Sequence, residues 1–293
     1  MAPRSDKTLH LLNGDATVPG FRDASIPGGI AIWREVMVEG PTTGDIRSEA
    51  FWARRKDFLD VAYEGVGPEE PFSSQLALLD NATDIGEVVL WFEYDLFCQV
   101  NLLAALAYIQ HPNVSLVCLG DQIGGQWLGL GQISAKEFEP LYRQRIRLDS
   151  ASLVYAGEAW GAYTGNDIEV IKSFREPHAS FPFLDRAIQA HMNRFPGWNG
   201  VNALEHDMLE IVKDGVRNKR QLIGQMLRNH PWMGFGDLQY YRILRSVELL
   251  IGSDLTLTEK GEEVLDHRAQ FPQPKEYLGG IYRPDYFKAT YGN

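Results

Sequence analysis

The sequence predicts an α/β chain: an N-terminal Rossmann-like parallel-sheet domain, a helical bridge and a C-terminal winged-helix-like domain. Three observations predict it. Short apolar runs alternate with helical periodicity through the first half, the signature of parallel strands joined by crossover helices. Near residue 149 the pattern becomes helical without strand-like runs. After Pro196-Gly197-Trp198-Asn199-Gly200, the clearest linker signal, three amphipathic segments precede a short alternating run. The expected divisions are 1–148, 149–196 and 197–293, and 293 residues is about twice the usual single-domain length.

Leu9–Leu12 reads as a buried strand stopped by Asn13-Gly14-Asp15, and a loop or helix follows. Ile30–Val38 is a second strand, entered through Pro27-Gly28-Gly29 and left through Gly40-Pro41. Ser48–Tyr63 and Phe72–Asp80 turn helical. Glu87–Phe92 carries Val88-Val89-Leu90-Trp91-Phe92, the continuous apolar run of a central parallel strand. Leu96–Gln110 has helical spacing, Val114–Leu119 is another strand ending in Gly120-Asp121, and the glycine-rich loop to Gly131 leads into a helix start at Ser134–Glu137 with capping-box spacing.

Helices are expected at Ser150–Tyr163, Asp167–Ser173 and Phe183–Asn193, forming the bridge. Asn202–Lys213, Asn218–Asn229 and Phe235–Leu250 are the three helices of the last part, Ser253–Thr258 alternates like a wing strand, and Glu259–His267 closes as a helix.

Composition narrows the function classes. The 44% hydrophobic and 23% charged content is that of an ordinary globular chain. A net charge of -11 repels phosphate backbones and anionic headgroups, so nucleic-acid contact is disfavoured and must be local if it exists. Cys98 and Cys118 lack metal-ligand spacing and read as buried free thiols. The polar start and the absence of an apolar run of roughly 18 to 20 residues predict a soluble cytoplasmic protein with no membrane partner. Nothing in the sequence speaks to oligomeric state.

The informative coincidence is positional. Asp15, Glu35, Glu93 with Asp95, and Asp121 each fall at or just beyond the C-terminal end of an expected strand, the edge at which open α/β sheets bind ligands. Clustered carboxylates repel one another unless a cation, a guanidinium or a proton offsets them. These five are therefore the candidate catalytic acids, with Glu93 and Asp95 as candidate ligands for Mg²⁺ or Mn²⁺. Asn13, Gly14, Arg34, Arg54, Gln99 and Gln132 are the candidate substrate-binding residues, Arg34 and Arg54 doubling as internal counter-charges. The plainer alternative is that the aspartates are turn formers and helix N-caps, a role that does not suit Glu93 at the end of an apolar strand.

Other devices are missing. No G-x-G-x-x-G, G-K-[ST] or G-x-S-x-G pattern appears, and His10, inside the first strand, reads as a core histidine. In the C-terminal part, Arg217, Lys219, Arg220 and Arg228 surround the second helix and Arg242 and Arg245 mark the third. Tyr240, Tyr241, Ile243 and Leu244 nevertheless predict that the third helix is largely buried, so a structural or protein-contact role is favoured over DNA reading.

The segments Leu9–Asp15, Trp33-Arg34-Glu35 with Glu39-Gly40-Pro41, Trp91–Gln99 and Gly129–Gln132 resemble a bacterial family known as domain of unknown function eighteen-thirty-five. Pro231–Gly234, Leu255–Thr258 and Tyr277–Gly280 are similar to that family's companion module, so the resemblance covers nearly the whole chain. Tyr94 stands where a histidine is expected, and Cys98 where aspartate or cysteine is usual. The resemblance implies no particular reaction. The expected function is a small-molecule or phosphate-processing enzyme, a metal-assisted hydrolase or phosphotransferase; the alternative is a ligand-sensing regulatory protein whose winged helix contacts DNA or protein.

Overall fold

The computed structural model describes residues 7–63 and 72–292; the polar stretch before Lys7 lies outside them. The first half runs β1 (Thr8–Asn13), α1 (Val18–Asp23), β2 (Gly29–Trp33), α2 (Glu49–Ala62), α3 (Phe72–Asp80), β3 (Glu87–Glu93), α4 (Leu96–Tyr108), β4 (Val114–Leu119), α5 (Ala135–Arg143) and β5 (Ile146–Leu148). Next come α6 (Ser150–Thr164), α7 (Ile168–Lys172) and α8 (Leu184–Met192). The last part contains α9 (Ala203–Lys213), α10 (Lys219–Asn229), α11 (Asp237–Ser246), α12 (Glu259–Leu265), the hairpin β6 (Tyr277–Leu278) and β7 (Ile281–Tyr282), and α13 (Arg283–Tyr291).

Among the described residues the main sheet has five strands in the order β2-β1-β3-β4-β5. The first four are parallel, as expected, and β5, which no expected strand covered, is antiparallel to β4. Strand alternation builds two cores. Leu9, Leu11, Val88, Leu90, Phe92, Val114 and Leu116 face α4 and the later helices, whereas Leu12, Val89, Trp91, Val117 and Leu119 face α1 and α5 with Phe21 and Phe138. His10 lies in this second core, its Nδ1 accepting from Trp91 Nε1 at 3.1 Å, as expected of a core histidine.

β2 stops at Trp33 rather than running to Val38. The buried amide of Asn101, on α4, replaces the ladder: its Oδ1 accepts from Met37 N at 3.2 Å and its Nδ2 donates to Glu35 O at 2.8 Å. The start of α5 has the expected capping box, with Ser134 N donating to Glu137 Oε2 at 2.6 Å.

The three helices of the C-terminal part are present, but Ser253–Thr258 is a turn. Asp254 accepts from Thr256 N and Oγ1, Leu255 has φ 57°, and only an isolated Ile251–Leu257 bridge remains of the expected wing. The 196–200 segment is tied down: Asn199 Nδ2 donates to Val264 O and Gly200, at φ 85°, lies against Phe271. The larger core runs without interruption from β1 through α4, α6 and α8 into α9, α11 and Leu278. No helix among the described residues is long and apolar enough to cross a membrane.

Candidate functional site

The strand order fixes where a ligand crevice opens. From β1 the chain places β2 on one side and β3 on the other, so the switch point lies between the C-terminal ends of β1 and β3, where Asn13 and Glu93 stand. α4 begins directly after β3 and directs its N-terminus into the same crevice. Asp95 is its N-cap, Oδ1 accepting from Cys98 N at 2.8 Å. A free helix N-terminus attracts anions; here a carboxylate already occupies it.

Glu93, Asp95 and Cys98 each offer a ligand atom within 4.8 Å of the others. Glu93 Oε1 accepts from Leu130 N at 2.7 Å, and Oε2 lies 3.8 Å from Cys98 Sγ. Neither carboxylate is in an ion pair among the described residues. Burial, and after it the charge of Asp95, raises the Glu93 carboxyl above the usual range; burial raises Asp95 as well, against the opposing pull of its cap hydrogen bonds. The Cys98 thiol is also pushed up, first by burial and then by the two neighbouring carboxylates. Without a cation the cluster therefore tends to hold protons and Cys98 is a poor nucleophile.

Polar side chains close around this trio. Asn13 Nδ2 donates to Cys98 Sγ at 3.0 Å while its Oδ1 accepts from Asn101 Nδ2 at 3.0 Å. Gln99 Nε2 donates to Glu93 O at 2.6 Å and contacts Cys118 Sγ at 3.3 Å; its Oε1 is buried without a hydrogen-bond partner among the described residues. Two glycine-bearing loops touch the carboxylates. Gly129 sits over Glu93 and Gly234, at φ 65°, over Asp95, and a Cβ on Gly234 would collide with the Asp95 carboxylate. Gln132 Oε1 accepts from Gly129 N at 2.8 Å and so fixes the first loop rather than facing a ligand.

An aromatic wall adjoins the cluster. Tyr94 packs edge-on against Trp127 and Trp232, with ring centroids 4.7 and 5.1 Å away, and Phe183 flanks Tyr94 and Trp127. The exposed Arg186 lies 5.0 Å from the Trp232 ring and 6.0 Å from that of Trp127.

The five acids do not meet. Asp15 is an exposed partner of Arg34, bound through Nε and Nη2 at 2.8 to 3.1 Å. Glu35 is buried in an ion pair with Arg55, 2.7 Å from Nη2, and folds back onto Val36 N. Asp121 is exposed and forms no hydrogen bond or ion pair among the described residues. Arg54 is the wrong neighbour for Glu35: it donates to Thr43 O on the surface, whereas Arg55 occupies the inward face of α2. Gly14, at φ 87°, makes the tight turn after β1, its N–H donating to Trp33 O.

Sequence reasoning missed Cys98 as a site atom and missed Trp127, Phe183, Arg186 and Trp232 altogether. The glycine-rich loop and the Pro231-Trp232-Met233-Gly234 segment were the only traces of them. No known family model matches the chain, and no curated protein matches it.

Proposed function

We propose that the chain is a metal-assisted small-molecule enzyme, a hydrolase or phosphotransferase, whose centre is Glu93, Asp95 and Cys98 at the sheet switch point. The observation that carries this reading is the approach of a half-buried carboxylate, a buried carboxylate and a buried thiol to within 4.8 Å, with no countering ion pair among the described residues. Gln99 Oε1, without a hydrogen-bond partner among the described residues, adds a neutral oxygen donor beside them. Bringing like charges together in a buried site costs free energy unless a cation or a proton offsets it. The donor set fits a cation, and the thiolate shifts preference from Mg²⁺ toward Zn²⁺, with Mn²⁺ between them. Such an ion would polarise a phosphoryl or carbonyl oxygen, or activate water.

The chain's own residues do the rest. Asn13 and Gln99 orient the thiol and the Glu93 strand end, Trp127 and Trp232, packed over the buried Tyr94, offer aromatic surface to a ring, and Arg186 suits an anionic substituent. Isothermal titration with Zn²⁺, Mn²⁺ and Mg²⁺ tests this. Wild-type protein binds one equivalent, Zn²⁺ most tightly, and Glu93→Gln weakens it at least about tenfold. No binding by wild type, or unchanged binding by the variant, rejects the metal centre.

A second reading, ligand sensing, is favoured by one observation: Gly234 and Trp232, from the C-terminal part, touch Asp95 and Tyr94 directly. We read α9–α11 with the Ile251–Leu257 bridge as a reduced winged helix facing inward. Arg242 binds Glu39 at 3.1 Å and Gln239 binds Tyr63, which argues against DNA reading by α11. Membership of the resembled family is likewise our inference, carried by the Leu9–Asp15 and Trp91–Gln99 segments.

A further inference from the structure

A second polar cavity, which shares no residue with the Glu93 cluster, lies where the loop after β2 meets the C-terminal helices. Its volume is about 240 Å³, and its lining includes Glu39, Arg194, Phe235, Arg242, Lys275 and Glu276. The acids of this wall already have basic partners. Glu39 is bound by Arg242, while Glu205 and Glu276 are both bound by Arg283, at 2.6 Å each.

Arg194 is different. It is only 5% exposed, its guanidinium lies over the Phe235 ring at 5.6 Å, and it forms no ion pair among the described residues. Its inner neighbours cannot supply a negative charge. Burial, with the Arg194 charge, pushes His191 well below its ordinary pKa, so the ring is neutral, and Tyr163 stays a protonated phenol because burial raises it. A guanidinium does not lose its proton in a protein, so Arg194 is a permanent buried cation with no carboxylate partner among the described residues. Lys275 adds a second positive charge at the rim without an ion pair among the described residues.

We propose that this cavity binds a small oxyanion, a carboxylate or phosphate group of a metabolite, with the Arg194 guanidinium as the inner charge and Lys275 as the outer charge. The volume admits a phosphate ion or a four-carbon dicarboxylate and excludes a polymer. The lining residues come from the loop after β2, the end of α8, the start of α9, α11 and the 274–278 segment, so the bound anion joins the sheet to the C-terminal helices. The site is separate from the metal centre and does not depend on it.

The test is thermal unfolding and isothermal titration of the whole chain with inorganic phosphate and, in parallel, succinate, at constant ionic strength set with chloride. We expect saturable binding of one equivalent and a concentration-dependent rise in Tm with at least one of the two anions; the tighter one names the group. Arg194→Gln, if it folds, weakens binding at least about tenfold, the effect of losing the inner positive charge. Lys275→Gln, at an exposed position that does not threaten folding, weakens it several-fold, while Glu93→Gln leaves it unchanged. Absence of saturable binding of both anions to wild type overturns the proposal, and so does wild-type affinity in Lys275→Gln.

Discussion

At the residue scale, the five strand-end acids separate by burial and partner. Glu35 and Arg55 form a fully buried pair, so Arg55→Met leaves a carboxylate unpaired in the core and should cost about 3 to 5 kcal/mol, read as a loss of Tm and of denaturant midpoint. Asp15→Asn disturbs only a surface pair and should cost less than about 1 kcal/mol in the same assay. Glu93 behaves in the opposite sense. Burial and Asp95 raise its carboxyl above the unfolded value, so the folded chain holds more protons than the unfolded one. The resulting stability is fully present below the ordinary carboxylate range and is lost as pH rises through the raised folded value. In chelator, Glu93→Gln should therefore gain stability relative to wild type from roughly pH 5 to pH 8. A constant gap across that range would show that the charge is not what the fold opposes.

At the element scale, α4 is the pivot of the site because its N-cap, Asp95, is at once a cap and a candidate ligand. Asp95→Asn keeps the cap oxygen for Cys98 N and should leave the unfolding free energy within about 1 kcal/mol of wild type while abolishing Zn²⁺ binding; Asp95→Ala should lose both. Gly234→Ala combines a left-handed backbone with a clash on Asp95, and should cost about 1 to 3 kcal/mol and weaken Zn²⁺ binding. Gly124→Ala, left-handed in open space, gives the backbone cost alone. The elements differ in how legible they were. β1, β3 and β4 announced themselves because a buried parallel strand must be apolar on both faces. β2 was overrun because the Asn101 amide that ends it is far away in sequence. β5 passed unnoticed because Ile146-Arg147-Leu148 is too short to show a period.

At the scale of the whole molecule, the sheet edge was legible as the place of the site, while its membership was not. Glu93 and Asp95 stand out as local anomalies in an apolar context, but the contacts of Trp127 and Trp232 with Tyr94 are set by the return of distant segments. The choice of Arg54 over Arg55 failed for a related reason: one residue along a helix rotates the side chain by about 100°, and only packing shows which face is inward. The same packing bears on partners. With a net charge of -11 and Arg242 directed at Glu39, the chain should pass through heparin at physiological salt without retention. Retention abolished by salt would instead return the C-terminal helices to DNA contact.

The central claim is that two carboxylates and a thiol, gathered at the end of β3 and the first turn of α4, hold one divalent cation. Anomalous diffraction from crystals soaked in Zn²⁺, measured on both sides of the zinc absorption edge, addresses it without reference to any substrate. The account predicts a single strong peak within about 2.0 to 2.3 Å of Glu93, Asp95 and Cys98. A fully soaked crystal with zinc bound only at surface sites and no peak between these three side chains would contradict it.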